Sequence, residues 1–174
     1  MQNKSLKEVG KKQNIKNDYI ETIKKFHDHG ISLLGSFIIG LDTQDEFYFE
    51  ELLNFLYKSK IDMAEFCILM PYPGTRLYQK LKEENRLIDE KWWLSFEANE
   101  VVFKPKLMTR DKLYESWIWT IKEFYKLGPL LKRDLQGIGK LSFKSNAIVW
   151  ALNKGFRKHA YALPEKIINP LDSS

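Results

Sequence analysis

Two short loops carry the residue types best suited to ligand contact. The first, Gly40-Leu41-Asp42-Thr43, joins a glycine, which lets backbone turn sharply or approach a ligand, to a carboxylate that can accept a hydrogen bond from a ligand hydroxyl. An Asp beside a helix start more often serves as an ordinary cap, and that reading stands beside the first. The second loop is Pro71-Tyr72-Pro73-Gly74-Thr75. Its prolines remove two backbone donors and stiffen the chain, holding the remaining carbonyl and amide groups where they suit the edge of a flat heterocycle. A rigid strand-to-helix turn with no ligand explains the same residues.

Other chemistry lacks its residues. The sequence contains no Gly-x-x-x-x-Gly-Lys, Gly-x-Gly-x-x-Gly, His-Glu-x-x-His or Cys-x-x-Cys. Phosphoryl transfer, zinc hydrolysis and acyl transfer therefore have no candidate groups. The single cysteine, Cys67, excludes an internal disulfide and reads as a small buried core residue. His27 and His29 lie two apart near a helix end, so they point to different faces and make a poor metal pair.

The elements that must position the loops follow from the apolar pattern. Leu33 to Ile39 and Met63 to Met70 are near-continuous apolar runs, each ending at one of the loops and each followed by a helical pattern. Such runs predict strands covered on both faces, and two of them separated by a helix predict a parallel βαβ unit. Ligands in such sheets sit at the carboxyl ends of the strands, where both loops lie. Asp18 with Glu21 predicts a capped helix ending by Gly30, and Thr43 with Glu46 a second helix from Gln44 to about Lys58. Further on, Trp92 and Trp93 suit the plugging of a core edge, or the lining of a substrate pocket, and Val101-Val102-Phe103 reads as a short strand. A long helix runs from Thr109 to Gly128-Pro129, and shorter helices follow, one ending before Gly155. Residues 1–17 read as a surface loop or short helix, and the last ten residues as loosely held.

Composition sets further bounds. Of 174 residues, 44% are hydrophobic and 14% aromatic, enough for a packed core. No apolar run approaches the roughly 20 residues of a membrane span, and the first residues lack a signal-peptide core, so a cytoplasmic location is expected. The net charge of +5 is concentrated late: residues 121–174 hold ten Lys or Arg against four Asp or Glu. Between Lys140 and Tyr161 these cations alternate with aromatic and aliphatic residues, a pattern that suits either a solvated face or peripheral contact with an anionic membrane. Nucleic acid is the less favoured partner.

Three motifs in order resemble the C-terminal half of cobalamin-dependent radical S-adenosylmethionine (SAM) proteins. They are Gly35-Ser36-Phe37-Ile38-Ile39-Gly40-Leu41-Asp42-Thr43, then Ile68 to Tyr78, then Trp92 or Trp93 with Val101 to Thr109. Lys7 to Asn14 resembles the segment after the fourth strand of that group. The superfamily pattern Gly-x-Ile-x-Gly-x-x-Glu falls on Ser36 to Thr43, with Ile38 and Gly40 matching and Ser36 and Thr43 departing.

The resemblance implies a fragment of a partial (βα)6 barrel over residues 1–85, holding strands five and six, and a mainly helical C-terminal extension over 86–174. It implies SAM as cofactor, with Ser36, Ile38 and Gly40 beside the adenosine and the backbone of Met70, Pro71, Tyr72 and Pro73 near the adenine edge. Family members also bind cobalamin and a [4Fe-4S] cluster, whose binding motifs do not occur in these 174 residues. The expectation is therefore a truncated or split enzyme of methyl transfer or radical rearrangement, inactive alone and completed by an N-terminal half in trans. The competing expectation is a non-catalytic module that docks on a protein or an anionic membrane surface.

Overall fold

The computed structural model describes residues 18–94, 100–138 and 142–164. The expectations for residues 1–17, including the Lys7 to Asn14 match, and for the last ten residues lie outside them. Among the described residues the chain is mixed α/β, with two parallel strands and six α-helices.

Helix α1 (Tyr19–Asp28) starts as its sequence dictates, because the Asp18 side chain accepts from the amides of Ile20 and Glu21. Gly30, at φ +72°, turns the chain toward strand β1 (Leu34–Ile39). Helix α2 (Tyr48–Ser59) then crosses to strand β2 (Met63–Ile68). The strands pair in parallel from Leu34 opposite Met63 to Ile39 opposite Ile68, which makes the expected βαβ unit.

Two features of the unit differ from expectation. Helix α2 begins at Tyr48 rather than Gln44, with Phe47 at the N-cap position; in the turn before it the Asp45 side chain accepts from the amides of Phe47 and Tyr48. Gln44 is turned to another use described below. The sheet, moreover, is covered along its length on one face only; on the other, Met63 at the start of β2 packs against Val149 and Phe156 from further along the chain. Phe37, Ile39, Phe66 and Ile68 join the core with Leu52 and Leu56 of α2, whereas Leu34, Ser36 and Ile38 on the opposite face of β1 are exposed.

Helix α3 (Arg76–Glu83) is capped by the Thr75 hydroxyl, which accepts from the Tyr78 amide, as its sequence predicts. Asn85, in the left-handed region at φ 51°, follows it. The Val101 to Phe103 segment forms one antiparallel bridge, Leu87 with Phe103, rather than a regular strand, and all three of its residues are fully buried. A 3-10 turn carries Trp92, which is buried, and Trp93, which is half exposed.

Helix α4 (Arg110–Phe124) is the central core helix. It stops at Phe124, and a separate helix α5 (Leu127–Gln136) contains Gly128 and Pro129 instead of ending before them. Pro129 is tolerated because it lies in the first turn, where amides have no intrahelical acceptor. Helix α6 (Phe143–Ala162) likewise runs through Gly155, although a glycine inside a helix costs about 1 kcal/mol relative to alanine. Packing of Val149, Asn153, Phe156 and Ala160 against the body of the molecule overrides that local preference.

Candidate functional site

Both loops lie at the carboxyl ends of the adjacent strands, as parallel pairing requires. The first is fixed from inside by Gln44, which is almost fully buried. Its Oε1 accepts from the amides of Gly40 (2.7 Å) and Leu41 (3.0 Å), and its Nε2 donates to the Ile38 carbonyl (3.1 Å). Gly40 has φ +104°, and a Cβ there would sit 2.9 Å from the Phe103 ring, so both backbone and packing require glycine. Nothing local singles out Gln44, because the i to i+4 spacing that lets it reach back to Gly40 is read as helix when the turn is unknown.

Asp42 serves neither as a helix cap nor as an open acceptor for a ligand. Its carboxylate is clamped by Arg86, with Nη2 to Oδ1 at 2.6 Å and Nη1 to Oδ2 at 3.2 Å, and by Lys80 at 2.6 Å. Lys106 lies 3.4 Å away, and Arg86 also binds Glu84 and the Lys104 carbonyl. Partial burial pushes the Asp42 pKa up, but the hydrogen bonds and charges of Arg86 and Lys80 outweigh it and hold the pKa down to about 2. The same carboxylates raise the Arg86 pKa against its own desolvation. This ion network ties the first loop to the end of α3 and to the segment after Phe103.

The second loop is internally bonded. The Met70 carbonyl accepts from the Tyr72 amide, the Pro71 carbonyl from Trp92 Nε1 at 3.1 Å, and the Tyr72 carbonyl from the Thr75 hydroxyl at 2.6 Å. The Met70 and Pro71 carbonyls each keep a second lone pair, whereas the Tyr72 carbonyl accepts from both the Thr75 hydroxyl and the Thr75 amide, so the loop is rigid and keeps its acceptor capacity at Met70 and Pro71. The exposed Tyr72 ring packs on Trp92, and Trp92 on Trp93, which continues the loop as an aromatic ledge. Trp92 thus buttresses the loop as well as plugging the core, a link that needs the 21-residue chain return to be seen.

The sequence-derived site residues divide into two groups. Ser36 and Ile38 lie on the exposed face of β1, opposite Glu65 and Cys67 of β2. Gly40, Met70, Pro71, Tyr72 and Pro73 lie at the loop end of the same sheet. Cys67 is half-buried on that open face rather than enclosed in the core; burial and the neighbouring Glu65 push its thiol pKa up. His27 and His29 are separated: His27 Nε2 meets Asp62 at 2.9 Å, and His29 Nδ1 meets the Lys25 carbonyl. Among the described residues no three His, Cys, Asp or Glu side chains gather as a metal site. No described helix is long and apolar enough to cross a membrane.

Two aromatic side chains meet the outward edge of β2, Trp117 from within α4 and Tyr125 from the residue just after it. Trp117 Nε1 donates to the Phe66 carbonyl at 2.8 Å. Tyr125 Oη accepts from the Ala64 amide and donates to the Ala64 carbonyl. Beside this edge a cavity of about 450 Å³ opens between β2, α4 and α6.

A family model described as a domain of unknown function (DUF4070) matches residues 75–156. The chain is 31% identical over 132 residues to bacteriochlorophyllide d C-12(1)-methyltransferase of Chlorobaculum tepidum, covering 76% of this chain and 28% of that protein. It is 25% identical over 119 residues to anaerobic magnesium-protoporphyrin IX monomethyl ester cyclase of Cereibacter sphaeroides, covering 68% and 19%. It is 29% identical over 129 residues to hopanoid C-2 methylase of Rhodopseudomonas palustris, covering 74% and 23%. The chain spans less than a third of the length of these curated relatives.

Proposed function

We propose that these residues form the C-terminal part of a cobalamin-dependent radical SAM enzyme that methylates or cyclises a rigid polycyclic substrate. β1 and β2 would be strands five and six of its partial barrel. The observation that carries this reading is the uncovered face of β1. An apolar strand in a βαβ unit ordinarily has both faces covered, and here Leu34, Ser36 and Ile38 face outward beside the two rigid loops. A barrel interior, closed by strands outside these 174 residues, is the environment that such a face fits. The names of the relatives, two methylating enzymes and a cyclase acting on tetrapyrroles or a hopanoid, support the reaction and the substrate class.

In this reading SAM lies over the open face. Ser36 and Ile38 supply its wall, Gly40 acts through the turn it permits, and Met70, Pro71, Tyr72 and Pro73 border the adenine. The open face and the rigid second loop fit such a ligand. The iron-sulfur cluster does not fit this chain, since Cys67 is its one cysteine, and it would be held by the N-terminal half.

The test is anaerobic reconstitution with iron and sulfide. Alone, the chain should show no stoichiometric [4Fe-4S] absorbance and release no 5'-deoxyadenosine from SAM; with an N-terminal half bearing three clustered cysteines, both should be recovered, and Ser36→Trp should abolish the product. Four irons per chain with 5'-deoxyadenosine from the isolated chain would overturn the proposal.

One observation favours a second, compatible role in surface docking. Residues 126–164 hold eight Lys or Arg and one acid, Asp134. On one flank of α6, Phe143 and Trp150 are exposed beside Lys154, whose ammonium lies 5.2 Å from the Trp150 ring centre. An anionic bilayer matches both the charge and the amphipathic aromatics.

A further inference from the structure

The geometry points to the cavity along the outer edge of β2 as a binding slot for the apolar ring body of the substrate, a rigid polycyclic hydrophobe. The inference rests on the proposed function for the substrate class, and on the following observations for the slot.

A free strand edge normally presents amides and carbonyls that attract another strand. In the parallel pair, Met63 and Leu69 donate to β1, so the alternate residues Ala64 and Phe66 direct their backbone groups to the other side. Three of those outward groups are already satisfied by Tyr125 and Trp117. At Ala64 and the Phe66 carbonyl the edge is therefore chemically closed but not physically filled. An added peptide strand finds these hydrogen-bonding groups taken, whereas an apolar ring needs none.

The walls suit such a ring. The volume of about 450 Å³ falls within the range of small-molecule pockets. Trp117 and Tyr125 supply aromatic surface on one side. From the other side α6 presents Ala151, Gly155 and Phe156, whose ring stacks on Tyr125 at 5.6 Å. Nothing lies within 4 Å of where a Gly155 Cβ would be, so neither packing nor a positive φ calls for glycine in the middle of this helix. What its missing side chain does provide is width in the slot.

The cavity also reaches the right place. Ala64 and Phe66 belong to the covered face of the sheet, whereas Glu65 and Cys67 belong to the open face opposite Ser36 and Ile38, and all four residues line it. The slot thus wraps round β2 and opens onto the face assigned to SAM. A ring held against Trp117 and Tyr125 would project one edge toward that face.

The test is a titration of the 174-residue chain, without SAM, iron or a partner half, with protoporphyrin IX followed by tryptophan quenching. A fused-ring hopanoid and palmitate serve as competitors. We expect one-to-one binding, displaced by the hopanoid and not by palmitate. Gly155→Ala should bind within about twofold of the parent, while Gly155→Leu and, as a second obstruction, Ala151→Leu should weaken binding at least tenfold with an unchanged circular dichroism spectrum. Phe143→Ala/Trp150→Ala, on the other flank of α6, should leave binding unaltered. Absence of binding, full binding by both obstructed variants, loss of binding in the Phe143/Trp150 variant, or displacement by palmitate would each overturn the slot. Because SAM is absent, these outcomes are separate from success or failure of the reconstitution.

Discussion

The Tyr125 hydroxyl accepts from the Ala64 amide at 3.2 Å and donates to the carbonyl of the same residue at 2.7 Å. One phenol at the C-cap of α4 thereby replaces both hydrogen bonds that a neighbouring strand would have made to Ala64. Burial pushes the Tyr125 pKa up to about 12, so the hydroxyl remains a donor throughout the ordinary pH range.

Tyr125→Phe removes both bonds and leaves two backbone groups of a fully buried residue without partners. Each such group costs about 1–3 kcal/mol, some of which water entering the adjacent cavity recovers. We expect a loss of about 2 kcal/mol in urea unfolding and greater self-association in sedimentation, since the edge becomes available for pairing. Unfolding within 0.5 kcal/mol (about the scatter of a neutral surface change) would show that the edge does not depend on this phenol.

Asp42 makes acid stability depend on one network. Its folded pKa of about 2 lies below the ordinary value of 3.8, so its contribution is present above about pH 4 and is lost as pH falls toward 2. Asp42→Asn should destabilise the protein at pH 7 by about 2 kcal/mol, because Arg86 and Lys80 lose a charged partner while Arg86 keeps Glu84 and the Lys104 carbonyl. It should also flatten the fall in urea midpoint between pH 4 and 2. An acid limb as steep in the variant as in the parent would locate the titration elsewhere.

For the basic aromatic flank of α6, the measurement is co-sedimentation with vesicles. Binding should appear on anionic and not on neutral lipid and should weaken with salt. Each cation near such a surface contributes about 1 kcal/mol, so Lys144→Glu/Lys154→Glu/Lys158→Glu should reduce binding on the order of a hundredfold. Equal binding of the parent to both vesicle types, or of the triple variant to anionic ones, would remove the membrane reading.

The sequence by itself determined what is local. The apolar runs, Asp18, Thr75 and Thr109 specified two strands and three helix starts, because a cap acts within one turn and a strand's apolar content is visible along a few residues. The glycine at 40 and the prolines at 71 and 73 marked the loops that end the strands. Elements whose limits depend on distant packing depart from the local pattern: Gln44 lies outside the helix that the pattern predicts, because the amides that donate to it are presented by the turn at Gly40, and Gly155 lies inside a helix rather than ending one, because that helix is held by contacts across the core. Only the tertiary structure decided that Arg86, 44 residues away, clamps Asp42, that Trp92 holds Pro71, and that Trp117 and Tyr125 close the edge of β2. The reason is physical: a hydrogen bond or ion pair between separated segments has no periodicity of its own, and it exists only once the hydrophobic core has brought the two segments together.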